Sequence, residues 1–221
     1  MKSSILIAAP LVALLALSAP ARADTYSFGV SGAGLSGTLT LSVSPDTVAG
    51  DPAGAYTIDP NGISGVFSDS NVGISNAAIT GLVPIAPVSP SPAPPIPVSL
   101  SFLPVLNPPP FDTAVSYDNL FYPGGSPITC TNYGLAGGWL DVYGLMFTLD
   151  NGDAVDLYSN GEDPNNPLSY GAVVIALSAN GNQVIDSPFG GVALPEPVSA
   201  ALLLAGLAGL VGARRARRAA A

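Results

Sequence analysis

Glycine and proline interrupt this chain so often that long helices have little room to form. Of 221 residues, 25 are Gly and 23 are Pro. Gly weakens a helix by backbone entropy, and Pro breaks one by removing a donor and clashing with the preceding turn. Between these interruptions apolar residues recur at period two, the spacing of a strand with one face in a core. Thr38 to Val43 places Leu39, Leu41 and Val43 on one side. Ile96, Val98, Leu100 and Phe102 alternate with Pro97, Ser99 and Ser101, and the proline assigns that run to a sheet edge. Leu145–Leu149, Asp150-Asn151-Gly152-Asp153 and Ala154–Tyr158 read as a hairpin, with Asn-Gly supplying the positive φ angles of the turn. A second hairpin is expected from Ala172–Leu177, Asn180-Gly181-Asn182 and Gln183–Ile185. Shorter strands are expected at Tyr26–Val30, Ala55–Ile58, Ile63–Phe67 and Val72–Thr80. No segment of the body has a sustained 3.6-residue apolar period. The expected fold is therefore all-β, with a single β-sandwich-like body of two sheets spanning residues 24–194, long enough for one core.

One stretch stands apart. Residues 84–110 hold 11 prolines, and Pro90 to Pro95 should run as extended, stiff polyproline II. A loop within one domain is preferred to a linker between two small β-units, because residues 24–83 alone would bury little core.

Charge is segregated along the chain. The six basic residues are Lys2, Arg22, Arg214, Arg215, Arg217 and Arg218, and there is no His. Between Asp24 and Leu194 there is no positive side chain, yet that span holds fourteen of the fifteen acids. Such a body cannot neutralise phosphates, which excludes nucleic-acid binding. It has no P-loop lysine and no arginine clamp. It also lacks the histidine that Ser-His-Asp and Cys-His nucleophiles and most zinc sites need.

The two ends read as address labels. Lys2 is a positive n-region, Ile5 to Leu17 an apolar h-region interrupted by Pro10, and Ala21-Arg22-Ala23 a small-residue cleavage site before Asp24. Residues 1–23 are accordingly expected to form a signal helix, handled by the Sec translocon and signal peptidase. At the other end Pro195-Glu196-Pro197 precedes an uncharged Leu/Ala/Gly-rich stretch, 198–213, and then the cluster Arg214, Arg215, Arg217 and Arg218. The prolines hold the preceding segment extended. Sixteen helical residues measure about 24 Å, a little short of a ~30 Å hydrocarbon core, and snorkelling or local thinning covers the difference. The arginines favour the cytoplasmic side, so the body lies outside the inner membrane.

Pro-Glu-Pro, a short transmembrane helix and a terminal Arg cluster together resemble the PEP-CTERM sorting tail of Gram-negative exported proteins. The resemblance covers residues 195–221. It implies recognition and cutting at or near Pro195-Glu196-Pro197 by an exosortase, a membrane-embedded cysteine transpeptidase-like enzyme. It also implies a transient inner-membrane stage and a final place at the cell surface or in an exopolysaccharide matrix. Asp118-Asn119-Leu120-Phe121-Tyr122-Pro123 with Gly144-Leu145-Met146-Phe147-Thr148-Leu149 loosely resembles bodies found on other proteins with this tail.

Within the body, chemistry is limited to oxygen ligands and carboxyl groups. Asp150, Asp153, Glu162 and Asp163 have the residue types of a calcium loop, although neither the EF-hand nor the nonapeptide repeat spacing is present. Solvated turn residues are the plainer reading. A carboxylate-dependent glycan hydrolase needs two positioned acids, and nothing in the sequence singles out a pair. Cys130 has no partner cysteine and no basic neighbour, which argues against a nucleophile. Trp139, Tyr143 and Phe147, like Tyr117, Phe121 and Tyr122, are expected to pack in the core rather than stack on sugars. The expected role is a non-enzymatic surface or matrix protein, with a calcium- or glycan-binding module as the alternative.

Overall fold

The computed structural model describes residues 23–85, 100–105, 114–161 and 168–194. These residues form eleven strands and no helix. The proposed signal segment, the sorting tail with its transmembrane stretch, and most of the Pro-rich segment lie outside them. Among the described residues no helix is long and apolar enough to cross a membrane.

The chain begins with a meander. Strands β1 (Asp24–Gly32), β2 (Leu35–Pro45), β3 (Tyr56–Asp69) and β4 (Ile74–Leu82) pair in order, all antiparallel. Alternation does the work in β2, where Leu35, Leu39, Leu41 and Val43 are buried while Ser36 and Thr38 face water. Sequence reading expected two strands at 55–58 and 63–67. They are one long strand, carried through Asp59-Pro60-Asn61 by a register shift against β2 and a left-handed Asn61 (φ 60°). Asn tolerates that backbone better than most residues, so the turn-like residues make a bulge instead of an ending.

After β4 the chain leaves the sheet. Strands β5 (Ser101–Pro104) and β6 (Ala114–Tyr117) form a separate two-stranded sheet. The short β7 (Leu120–Phe121) then pairs with the start of β3 at Tyr56 and Thr57. A long irregular segment, 122–144, follows. The chain re-enters the large sheet as β8 (Leu145–Leu149), which pairs with β4, and continues through β9 (Asp153–Ser159), β10 (Tyr170–Ala176) and β11 (Gln183–Asp186).

The all-β expectation holds, but in place of two comparable stacked sheets there is one large sheet and a separate two-stranded one. The large antiparallel sheet runs β1-β2-β3-β4-β8-β9-β10-β11, with β7 branching from β3. Its ends come together. Ser31 of β1 and Ala193 exchange two backbone hydrogen bonds (3.2 and 2.8 Å), and Val192 and Tyr170 of β10 exchange two more (3.1 and 3.3 Å). Residues 192 and 193 thereby tie the first strand to β10. The sheet is curled round its own apolar face, and the bridge at Ser31 covers part of the β1 edge that an open sheet would expose. Inside lie Phe28, Leu39, Leu41, Phe67, Phe147, Leu157 and Val174. Phe67 of β3 meets Phe147 of β8 edge-on at 6.1 Å. Trp139, from the irregular segment, stands edge-on to Phe28 at 5.4 Å and closes one end of the core.

Both hairpins read from the sequence are present. Their details differ in one respect. In the β8–β9 turn the Gly152 N–H donates to the Leu149 carbonyl (3.1 Å), and Gly152 alone has positive φ (93°). Asn151 keeps an ordinary φ and uses its side chain instead, accepting from the Asp153 N–H (3.1 Å). The turn is thus a three-residue form closed by a left-handed Gly, not a two-residue Asn-Gly turn.

The small β5–β6 sheet covers the outer face of β8, β9 and β10. Val105 and Tyr117 meet Met146, Ala154, Val173 and Ile175 there in a second apolar cluster. The alternation read for 96–102 put Leu100 and Phe102 on one buried face. Leu100 is buried, but Phe102 is 43% exposed, while Ser101 and Leu103 turn inward opposite Tyr117 and Val115. Pairing with β6 sets the register there, and it overrides the apolar count.

Candidate functional site

An Asp that begins a turn bends its carboxylate back onto backbone N–H groups one or two residues ahead. Two such aspartates flank the irregular 122–144 segment. Asp118 lies between β6 and β7, and its Oδ1 accepts from the Leu120 N–H (3.0 Å). Asp141 lies near the end of the segment, and its Oδ1 accepts from the N–H groups of Tyr143 (2.9 Å) and Gly144 (3.0 Å). Gly144 is required at that point: its φ is +82°, and a Cβ there would sit 2.2 Å from the Leu157 carbonyl.

These two local turns are brought together by longer links. Asn119, left-handed at φ 55°, accepts from the Met146 N–H through Oδ1 (2.8 Å) and donates through Nδ2 to the Val83 carbonyl (2.9 Å). Its own N–H donates to the Gly144 carbonyl (3.0 Å), and the Tyr122 N–H donates to the Trp139 carbonyl (2.8 Å). The segments 118–123 and 144–149, singled out from the sequence as a pair, are therefore neighbours in space. A third acid joins them from β9. Asp156 pairs in register with Met146 on β8 and Val173 on β10, so it stands on the outer face, beneath the β5–β6 cover.

All three carboxyl groups are withdrawn from water, with exposures of 0%, 1% and 2% for Asp118, Asp141 and Asp156. One oxygen of each, Oδ2 of Asp118, Oδ2 of Asp141 and Oδ1 of Asp156, has no hydrogen-bond partner among the described residues. The backbone bonds of Asn119 to Gly144 and of Tyr122 to Trp139 set the Asp118 and Asp141 turns side by side. Burial pushes the Asp118 carboxyl well above the ordinary carboxylate range, and the neighbouring Asp141 charge pushes it further. Burial does the same to Asp156, again with help from Asp141. The surrounding phenols feel both effects. Tyr122 and Tyr143 are raised first by burial, and Tyr158 is pushed up to about 12 by burial and by Asp156. No lysine, arginine or histidine exists anywhere in 24–194 to offset this charge.

Beside the cluster opens a cavity of about 210 Å³, walled by Ile58, Leu82, Val83, Pro84 and Leu120, with Asp118 and Asn119 at its edge. It is largely apolar and smaller than the usual small-molecule site.

The residues singled out from the sequence for calcium are not brought to this place. Asp150 and Asp153 stay on the exposed β8–β9 turn, where Asn151 Nδ2 donates to Asp153 Oδ2 (2.7 Å). Glu162 and Asp163 lie outside the described residues, as do Ala21, Pro195, Glu196, Pro197 and the four terminal arginines. No group of three or more acid, Cys or His side chains among the described residues is arranged to hold a metal ion. Cys130 is a half-buried free thiol in a turn closed by the Tyr133 N–H on its carbonyl (3.1 Å). The aromatic residues serve packing. Tyr117, Phe121, Tyr122, Trp139 and Phe147 are all buried.

Sequence reasoning grouped Asp156 with Asp150 and Asp153 on the β8–β9 hairpin and did not single out Asp118 or Asp141 as buried acids. The available signal was the turn chemistry of Asp118-Asn119 and of Asp141 before Gly144. It marks two Asp-led turns, but nothing local says that those turns face inward. Comparison with family models, with curated proteins and with solved structures returns no match for this chain.

Proposed function

We propose that this protein is an exported, non-enzymatic component of the cell surface or extracellular matrix, sorted by its C-terminal PEP-CTERM-like tail and processed by an exosortase. The observation that carries this reading is the distribution of charge. Every Lys and Arg lies in the first 22 or the last eight residues, and the body between them has none. The sequence of events is Sec export, signal cleavage between Ala23 and Asp24, transient retention by 198–213 with Arg214, Arg215, Arg217 and Arg218 on the cytoplasmic side, and cutting at or near Pro195-Glu196-Pro197. The product is one β-sandwich-like unit, 24–194, with a structural or adhesive role and the extracellular polysaccharide as its partner.

The extent of the sheet is compatible with this reading. Strand β1 opens at Asp24, so removal of 1–23 leaves the sheet whole. Leu194 is packed in the core, with Val192 and Ala193 bridging β10 and β1 just before it. Removal of the tail from Pro195 onward spares those contacts. Intact-mass spectrometry of the exported protein tests the proposal. The expected species starts at Asp24 and ends at or near Pro195–Pro197. A species retaining Arg218 would rule out exosortase processing.

A further inference from the structure

Burying a carboxylate without a countercharge is among the most costly arrangements a fold can contain, and folds avoid it by pairing, by metal ligation or by protonation. The body offers no base to pair with, because 24–194 contains none. Ligation has no support from the arrangement of acids among the described residues. A proton on one oxygen satisfies such a site without either. Asp118 and Asp141 each commit Oδ1 to backbone N–H groups and each leave Oδ2 unpartnered and buried. The backbone bonds of Asn119 to Gly144 and of Tyr122 to Trp139 set the two turns side by side, and two neighbouring buried carboxyls avoid like-charge repulsion when one carries a hydrogen.

We propose that Asp118 and Asp141 share one proton across their unpartnered oxygens, and that this proton fastens the 122–144 segment to the β6–β7 junction as a pH-sensitive latch. Loss of the proton to solvent leaves two buried like charges beside the neighbouring Asp156, and the segment lets go. The latch holds in acid and releases in alkali. The titratable groups around it are Tyr122 after β7, with Asp46 and Asp51 of the β2–β3 connection beyond it, Tyr143 with Cys130 behind it, and Asp156 from β9, itself beside Tyr117 and Tyr158. None is basic, so none can replace the proton.

Trp139 makes the latch observable. It is the chain's only tryptophan, lies two residues from Asp141, and is buried against Phe28 and Phe121. The experiment follows Trp139 emission during urea unfolding of the full-length chain in non-ionic detergent, from pH 4 to pH 9, with EDTA or with millimolar calcium. The wild-type midpoint should fall as pH rises. Asp118→Asn and Asp141→Asn should flatten that dependence and raise the midpoint at alkaline pH, since an amide keeps Oδ1 as the turn acceptor and supplies a permanent N–H in place of the proton. Asp24→Asn, which removes one exposed charge, should keep the wild-type slope. A midpoint that is flat or rises with pH would overturn the proposal. So would a wild-type slope in both amide variants, or a calcium-dependent midpoint that Asp118→Asn abolishes. Should neither variant fold, the wild type decides alone. Unfolding at pH 6 in weakly buffered solution must release protons, and proton uptake or no change would overturn the latch.

Discussion

The two halves of the large sheet are built from the same kind of strand but placed in different surroundings. Strands β1 and β2 have one face in the core and one in water, so their burial alternates and Leu39, Leu41 and Val43 can be read directly from the sequence. Strands β8, β9 and β10 have the same inner face, but their outer face is roofed by β5 and β6, so they are buried almost throughout. The difference teaches that the second cover is one place where this fold meets an electrostatic problem, another being the end of β3, where Asp69 is also buried and its carboxyl raised by burial. An outward Thr38 on β2 rests in water at little cost. An outward Asp156 on β9 has nowhere to leave its charge.

Substitutions on the two outward faces should break this comparison if it is wrong. The largest effect is expected at Ile175, which faces outward on β10 into the second cluster. Ile175→Lys buries an unpaired charge and should prevent cooperative folding, whereas Thr38→Lys on β2 should fold normally by circular dichroism. Next, Ile175→Ala and Leu39→Ala should each cost about 2–5 kcal/mol in denaturant unfolding, because outer face and inner face are equally buried at those two positions. Asn119→Ala should cost about 1–3 kcal/mol for each backbone group it leaves unpaired, the Met146 N–H and the Val83 carbonyl. The smallest effect is expected for Thr38→Ala, within about 0.5 kcal/mol. Equal costs for Thr38→Ala and Ile175→Ala would mean that the β5–β6 roof contributes nothing.

The same contrast explains how much the sequence disclosed. The all-β class, the β8–β9 and β10–β11 hairpins and the one-sided meander were legible, because alternation and turn residues are local signals. The continuity of the large sheet was not. It depends on β4 meeting β8 and on residues 192 and 193 meeting β10 and β1, contacts between positions far apart in the chain. The buried acids were hidden for a related reason. Asp118 and Asp141 look like ordinary turn residues, and they are turn residues. Only the placement of the 122–144 segment against β8 and β9 turns them inward. The calcium reading followed the density of acids at Asp150 and Asp153, whose turn points to solvent.

The central claim is that the buried Asp118–Asp141 pair holds one proton in the folded state, and proton linkage measures this directly. A carboxyl raised in the folded state stabilises the fold fully below the unfolded value, near pH 3.9 for Asp, and that stabilisation is lost as pH rises through the folded value. Self-repulsion of the acidic body acts in the same direction, so the informative quantity is the difference in slope between wild type and Asp118→Asn. From about pH 4 upward, the unfolding free energy of wild type should fall more steeply by about 1.4 kcal/mol per pH unit, the value of one linked proton. Parallel slopes, or a wild-type stability that rises with pH, would contradict it.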